Sequence, residues 1–166
     1  MGTQGRNRDG LPSRKDRLIR EHVHDSYKSR RKLPEPTLCP QCGAVYLGGR
    51  WQWAARPAEA HEQTCPACHR IHDKYPAGTV RLSGPFVEEH KQELTNVARN
   101  EEARAKAEHP LKRIIAIENE KDAILITTTD PHLARGIGEA VHHAYHGELD
   151  FHYVEESNLV RVTWKR

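Results

Sequence analysis

From residue 111 onward, apolar and polar positions follow two regular periods. Ile114, Ile115 and Ile117 mark one short strand over residues 112–118, and Ile124, Leu125 and Ile126 mark a second over 123–128. Asn119-Glu120-Lys121-Asp122 between them supplies turn residues, so the two are expected to pair as a hairpin. Asp130 then offers an N-cap with Pro131 at the first helical position. Leu133, Ile137, Ala140, Val141 and Ala144 form the stripe of an amphipathic helix ending near His146 at Gly147. In the segments 149–154 and 159–164, Leu149, Phe151, Tyr153 and Val160, Val162, Trp164 alternate with Asp150, His152, Arg161 and Thr163. That alternation predicts two further strands with one face packed on the helix and the other open or only partly covered. The order is ββαββ over residues 110–166.

Upstream, Ser83-Gly84-Pro85 reads as a helix start, with Glu88 and Glu89 in the first turn and Pro110 beyond the end. The apolar stripe over 83–109 is thin (Phe86, Val87, Leu94, Val97, Ala98, Ala105), which predicts one connecting helix packed on a single side. The stretch 37–82 keeps neither period for long. Val45-Tyr46-Leu47 and Arg50-Trp51-Gln52-Trp53 read as short strands around Gly48-Gly49, and Thr79-Val80-Arg81-Leu82 reads as a third.

The cysteines explain how such short strands are held. All four lie in two pairs, Cys39-Pro40-Gln41-Cys42 and Cys65-Pro66-Ala67-Cys68, with 22 residues between the pairs. A C-x2-C turn aims two sulfurs at one ion, and two such turns supply four thiolates, which suits tetrahedral Zn2+. The expected architecture over 37–82 is therefore a zinc ribbon. Iron accepts the same ligands and is the alternative. Disulfides or a thioredoxin-like redox role rank below both, since no apolar signal-peptide region follows Met1-Gly2-Thr3-Gln4. A closed four-sulfur shell keeps no open position, so the ion is expected to be structural and the chain not an enzyme. His61, His69 and His72 are expected at the surface or around the ligands rather than among them.

Charge adds a further region. Residues 1–36 carry ten Arg/Lys against five Asp/Glu, a formal +5, while the other 130 residues sum to −2. A basic arm on a near-neutral body suits phosphate backbones, because each neutralised phosphate releases counterions. Its candidate contacts are Arg14, Lys15, Arg17, Arg20, Lys28, Arg30, Arg31 and Lys32, with Arg50 and Arg56 beyond the arm. A solvated terminus without a partner is the competing reading. No apolar run approaches the ~20 residues of a membrane span, so a soluble, cytoplasmic chain is expected.

Other motifs carry less chemistry. His142, His143 and His146 include an i, i+4 pair but lack the glutamate of H-E-x-x-H, and are expected as a solvent-facing cluster. Gly136-Ile137-Gly138 lies inside the predicted helix and is expected to permit close packing rather than bind a nucleotide. Trp51 and Trp53 are expected to pack the ribbon or its contact with the next domain, although beside Arg50 and Arg56 they also have the chemistry to stack on unpaired bases. The open sheet face lacks the exposed aromatics of RNA platforms.

Several of these runs carry a resemblance. Leu33-Pro34-Glu35-Pro36-Thr37-Leu38-Cys39-Pro40-Gln41-Cys42-Gly43-Ala44-Val45-Tyr46, then Gly49-Arg50-Trp51-Gln52-Trp53, Cys65-Pro66-Ala67-Cys68 and Gly147-Glu148-Leu149-Asp150-Phe151 resemble a bacterial zinc-ribbon family of uncharacterised proteins. That family is distantly similar to the zinc-containing export adaptor of the large ribosomal subunit, the nonsense-mediated-decay-three family. The chain lacks the further cysteine pairs expected of that adaptor. The resemblance implies contact with ribosomal RNA. Taken together, the sequence predicts an α+β protein: a basic arm (1–36), a zinc ribbon (37–82), a connecting helix (83–109) and a ββαββ two-layer domain (110–166). The expected function is non-catalytic binding of structured RNA on the ribosome, with no small-molecule substrate. A DNA-binding regulator or a protein-interaction adaptor is the alternative.

Overall fold

The turn that carries the first cysteine pair ends at Gly43, whose φ of +81° is a region that a side chain would strain. Gly43 N–H donates to the Cys39 carbonyl at 3.0 Å, and Cys39 N–H donates to the Ala44 carbonyl at 2.9 Å. The computed structural model describes Tyr27 and residues 32–166. Around this turn, β1 (Thr37–Leu38), β2 (Val45–Leu47), β3 (Arg50–Gln52) and β4 (His61–Glu62) form a sheet of order β3-β2-β1-β4. The β1–β4 pairing is parallel and the others are antiparallel.

The second cysteine pair departs from the expected ribbon, because it opens a helix, α1 (Pro66–Asp73). Cys65 is the extended N-cap residue, its sulfur accepts from Cys68 N–H, and Pro66 stands where its missing N–H costs nothing.

A larger correction concerns the strand expected to complete the ribbon. β5 (Gly78–Ser83) lies at the centre of the second sheet, antiparallel to the strand Ala123–Thr128 and parallel to the strand Leu159–Lys165. Val80 and Leu82 are fully buried among Ile124, Ile126, Leu133 and Val162, whereas the cysteine region offers Leu38, Val45, two alanines and the sulfurs as its buried groups. Burial therefore assigns this strand to the larger core.

The single helix expected over 83–109 is two: α2 (Pro85–Glu89) and α3 (Lys91–Glu108). His90 leaves helical geometry (φ −123°, ψ 23°), its ring stacked on Phe86 at 4.0 Å between centroids. The break lets Phe86 pack with Trp164 and Tyr145 while Leu94 and Ala98 bury along the next helix.

The remaining elements follow the predicted order. They are β6 (Ile114–Asn119), β7 (Ala123–Thr128), α4 (Pro131–Tyr145), β8 (Glu148–Val154) and β9 (Leu159–Lys165). The sheet runs β6-β7-β5-β9-β8, with β5–β9 its one parallel pairing. Val80, Leu82, Ile124, Ile126, Val162 and Trp164 meet Leu133, Ile137 and Val141 of α4 in one continuous core that also takes in α3. Gly138 is required there. A Cβ on it would stand 2.5 Å from Val162 Cγ1, so glycine lets α4 settle onto β9. The opposite sheet face carries Thr79, Arg81, Thr127, Arg161, Thr163, Asp150 and His152, which are exposed or half-buried. The whole is mixed α and β, with two sheets and four helices among the described residues. No helix among them is long and apolar enough to cross a membrane.

Candidate metal centre

The first turn and the start of α1 bring Cys39, Cys42, Cys65 and Cys68 together, every sulfur within 4.8 Å of the others. Cys39–Cys68 and Cys42–Cys65 are each separated by 3.8 Å. A tetrahedron of thiolates at ~2.3 Å from Zn2+ has edges of about 3.8 Å, so the spacing fits one ion at the centre. It does not fit a disulfide, whose sulfurs stand ~2.05 Å apart, and all four cysteines are free. Cys39, Cys65 and Cys68 are buried and Cys42 is half-buried.

Local backbone donors orient these sulfurs. Cys65 N–H donates to Cys39 Sγ at 3.3 Å, and Cys68 N–H to Cys65 Sγ at 3.4 Å. Because Cys65 caps α1, the partial positive end of the helix favours thiolate there. Without an ion the four groups cannot share the charge evenly. The hydrogen bond from Cys65 draws the Cys42 thiol down to about 4. The same hydrogen bond, together with burial, pushes Cys65 up, and burial also raises Cys68. A divalent cation removes the conflict by letting all four sulfurs ionise.

One partner of the sulfurs comes from outside the cysteine region. Arg113 is 8% exposed, and its guanidinium donates to Cys68 Sγ at 2.9 Å and Cys65 Sγ at 3.6 Å. Burial opposes the charge, but the hydrogen bond to Cys68 and the neighbouring sulfurs outweigh it, so Arg113 is held cationic. Thr129 fixes its backbone: Arg113 N–H donates to Thr129 Oγ1 and Thr129 N–H to the Arg113 carbonyl, both at 2.9 Å. Four thiolates around a dication carry a net −2, and this guanidinium offsets half of it. Sequence reasoning missed Arg113. Its only signal is a cation at the start of the predicted strand 112–118, which ordinarily reads as a solvated position.

The other sequence-predicted residues fall differently. Arg14, Lys15, Arg17, Arg20, Lys28, Arg30 and Arg31 lie outside the described residues, and Lys32, Arg50 and Arg56 are exposed. His61, His69 and His72 are exposed, and the metal-ligating group among the described residues contains cysteines alone. Trp51 packs against the cysteine cluster, while Trp53 donates its indole N–H to the Lys106 carbonyl of α3 at 2.6 Å. His142 corrects the expected solvent-facing cluster: it is half-buried, and its Nδ1 is buried without a partner among the described residues. His143 and His146 are exposed.

Comparison of the chain with protein-family models, with curated proteins and with solved structures returns no match.

Proposed function

We propose that this is a non-catalytic zinc protein that binds structured RNA, working in the cytoplasm on the ribosome. In this reading residues 37–74 form a variant zinc ribbon whose second half is helical, and the ββαββ unit is completed by β5. The observation that carries the proposal is the docking of Tyr27, a described residue within the strongly basic stretch. Its ring stacks on Tyr75 at 5.7 Å, Arg70 stands 4.4 Å over its centroid, and its hydroxyl donates to Asp73 Oδ2 at 3.0 Å. All three partners lie on or just beyond α1, the helix that supplies Cys65 and Cys68. The docking of Tyr27 supports a basic stretch that acts together with the cysteine module.

The closed sulfur set supports a structural ion, because catalytic zinc keeps a position for water or substrate. The positive charge supports phosphate contact by counterion release. The resemblance to the ribosomal adaptor supports RNA as its source.

Binding of a folded ribosomal RNA fragment, measured at several salt concentrations for the full chain and for a chain lacking residues 1–26, tests the proposal. The truncation is expected to weaken binding and flatten the salt slope by ~0.7–0.9 per lost phosphate contact. An unchanged slope refutes the arm's role. Tighter binding to duplex DNA than to RNA at matched salt, with no sedimentation with ribosomes, replaces the RNA reading with that of a DNA regulator.

A further inference from the structure

Between the cysteine module and the segment that leads into β6 lies a cleft of about 720 Å³, within the ~300–1,000 Å³ usual for small-ligand sites. Its walls include Tyr46, Arg50 and Trp51 on the β2–β3 hairpin, His69 on α1, and His109 and Lys112 on the connection after α3. Tyr46 and Trp51 are half-buried and meet edge to face, their centroids 5.5 Å apart. Among the described residues, nothing hydrogen-bonds or ion-pairs with the Tyr46 hydroxyl, the Trp51 indole N–H, the Arg50 guanidinium or the Lys112 ammonium. Among the described residues the one carboxylate lining the cleft, Asp130, is engaged as the cap of α4, accepting from Leu133 N–H at 2.9 Å.

The cleft therefore presents two aromatic rings with unused polar edges beside two basic side chains. A ligand that satisfies both needs a flat π-face and an anionic group close to it, which is the chemistry of a nucleotide. A base already paired in a duplex has its faces covered and cannot enter. Tyr27 also lines the cleft.

We infer that this cleft takes one or two unpaired nucleotides of an RNA strand, the base against Tyr46 and Trp51 and the phosphates on Arg50 and Lys112. The inference rests on the reading of the protein as an RNA binder and adds to it which part of the RNA is gripped. Trp51 also packs on the cysteine cluster, so one wall of the cleft depends on the metal centre being formed.

The test uses the full, zinc-loaded chain and a 12-nucleotide single-stranded RNA carrying 5-iodouridine. Binding is followed by fluorescence anisotropy, and photocrosslinks are mapped by mass spectrometry. Crosslinks are expected on Tyr46 or Trp51. Trp51→Ala is expected to weaken binding about tenfold and Trp51→Phe to restore most of it. The double variant Arg50→Ala, Lys112→Ala changes only accessible cations, so it keeps the test decisive if Trp51→Ala fails to fold; its salt slope is expected to fall by ~1.4. Crosslinks confined to other residues, or unchanged affinity and slope in the double variant, overturn the cleft while leaving the RNA reading intact. Equally tight binding of the same sequence as a duplex, or of free AMP or UMP, also overturns it. A wild-type chain that binds no RNA of any form overturns both.

Discussion

In the five-stranded sheet the buried side chains include Val80, Leu82, Ile124, Ile126, Val162 and Trp164, closed over by two helices; around the cysteines they are Leu38, Val45, Ala44, Ala67 and the sulfurs themselves. The first region is held by apolar area and the second by four ligands that need an ion. Strands of two or three residues, as β1 to β4 are, cannot bury enough surface to order themselves. The same chain thus contains a part that water drives together and a part that coordination drives together. Arg113 connects them, belonging to the first by backbone and to the second by side chain.

Removing the ion should separate the two regions most sharply. With structural zinc contributing ~10–16 kcal/mol in small zinc modules, chelation or Cys39→Ser should abolish amide-exchange protection in β1–β4 and α1 while β5–β9 keep theirs. Simultaneous loss of protection in both would break the comparison, as would a purified chain without about one tightly bound metal ion by elemental analysis. The converse perturbation is Trp164→Ala, which empties a fully buried site and should cost ~3–5 kcal/mol in urea denaturation, with metal still bound at low denaturant.

Arg113→Met probes the link. It should weaken metal retention by ~10–100-fold in chelator competition while leaving the melting of the five-stranded sheet nearly unchanged. Arg113→Lys restores the charge without the two-sulfur reach and should recover only part of that affinity.

The smallest effects come from two glycines of α4. Gly138→Ala drives a Cβ into Val162 and should destabilise by about 1 kcal/mol despite alanine's better helix propensity. At Gly136 the nearest obstacle is Glu101 Oε1 at 3.1 Å, the end of a flexible side chain, so Gly136→Ala should stabilise by ~0.5–1 kcal/mol. Thermal melts of the pair check the opposed signs.

What could be read from the sequence was local. The β6–β7 hairpin, the Asp130 cap, Pro131 and the turn at Gly147 are each specified by residues a few positions apart, and the structure contains them as expected. The cysteine spacing likewise announced the sulfur cluster. What escaped was decided over distance. Thr79-Val80-Arg81-Leu82 reads as a strand, but nothing in those residues says which sheet it joins; its parallel partner lies far along the chain, and only the burial of Val80 and Leu82 decides. Cys65-Pro66 carried a helix-start signal that the C-x2-C reading as a turn concealed. His90 breaks a helix without proline or glycine, because Phe86 finds a better partner in the folded core than in a continued helix.

The central place of β5 also bears on the order in which a growing chain takes shape. β5 ends at Ser83 and β9 begins at Leu159, so a ribosome adding ~5–20 residues per second leaves β5 without that neighbour for roughly 4–15 s. All four cysteines precede β5, and the metal module can load its ion during that interval. Through it, one edge of that strand stays unpaired, the kind of surface on which chains aggregate. The yield of native protein is then set by how well that one strand is shielded until β9 arrives.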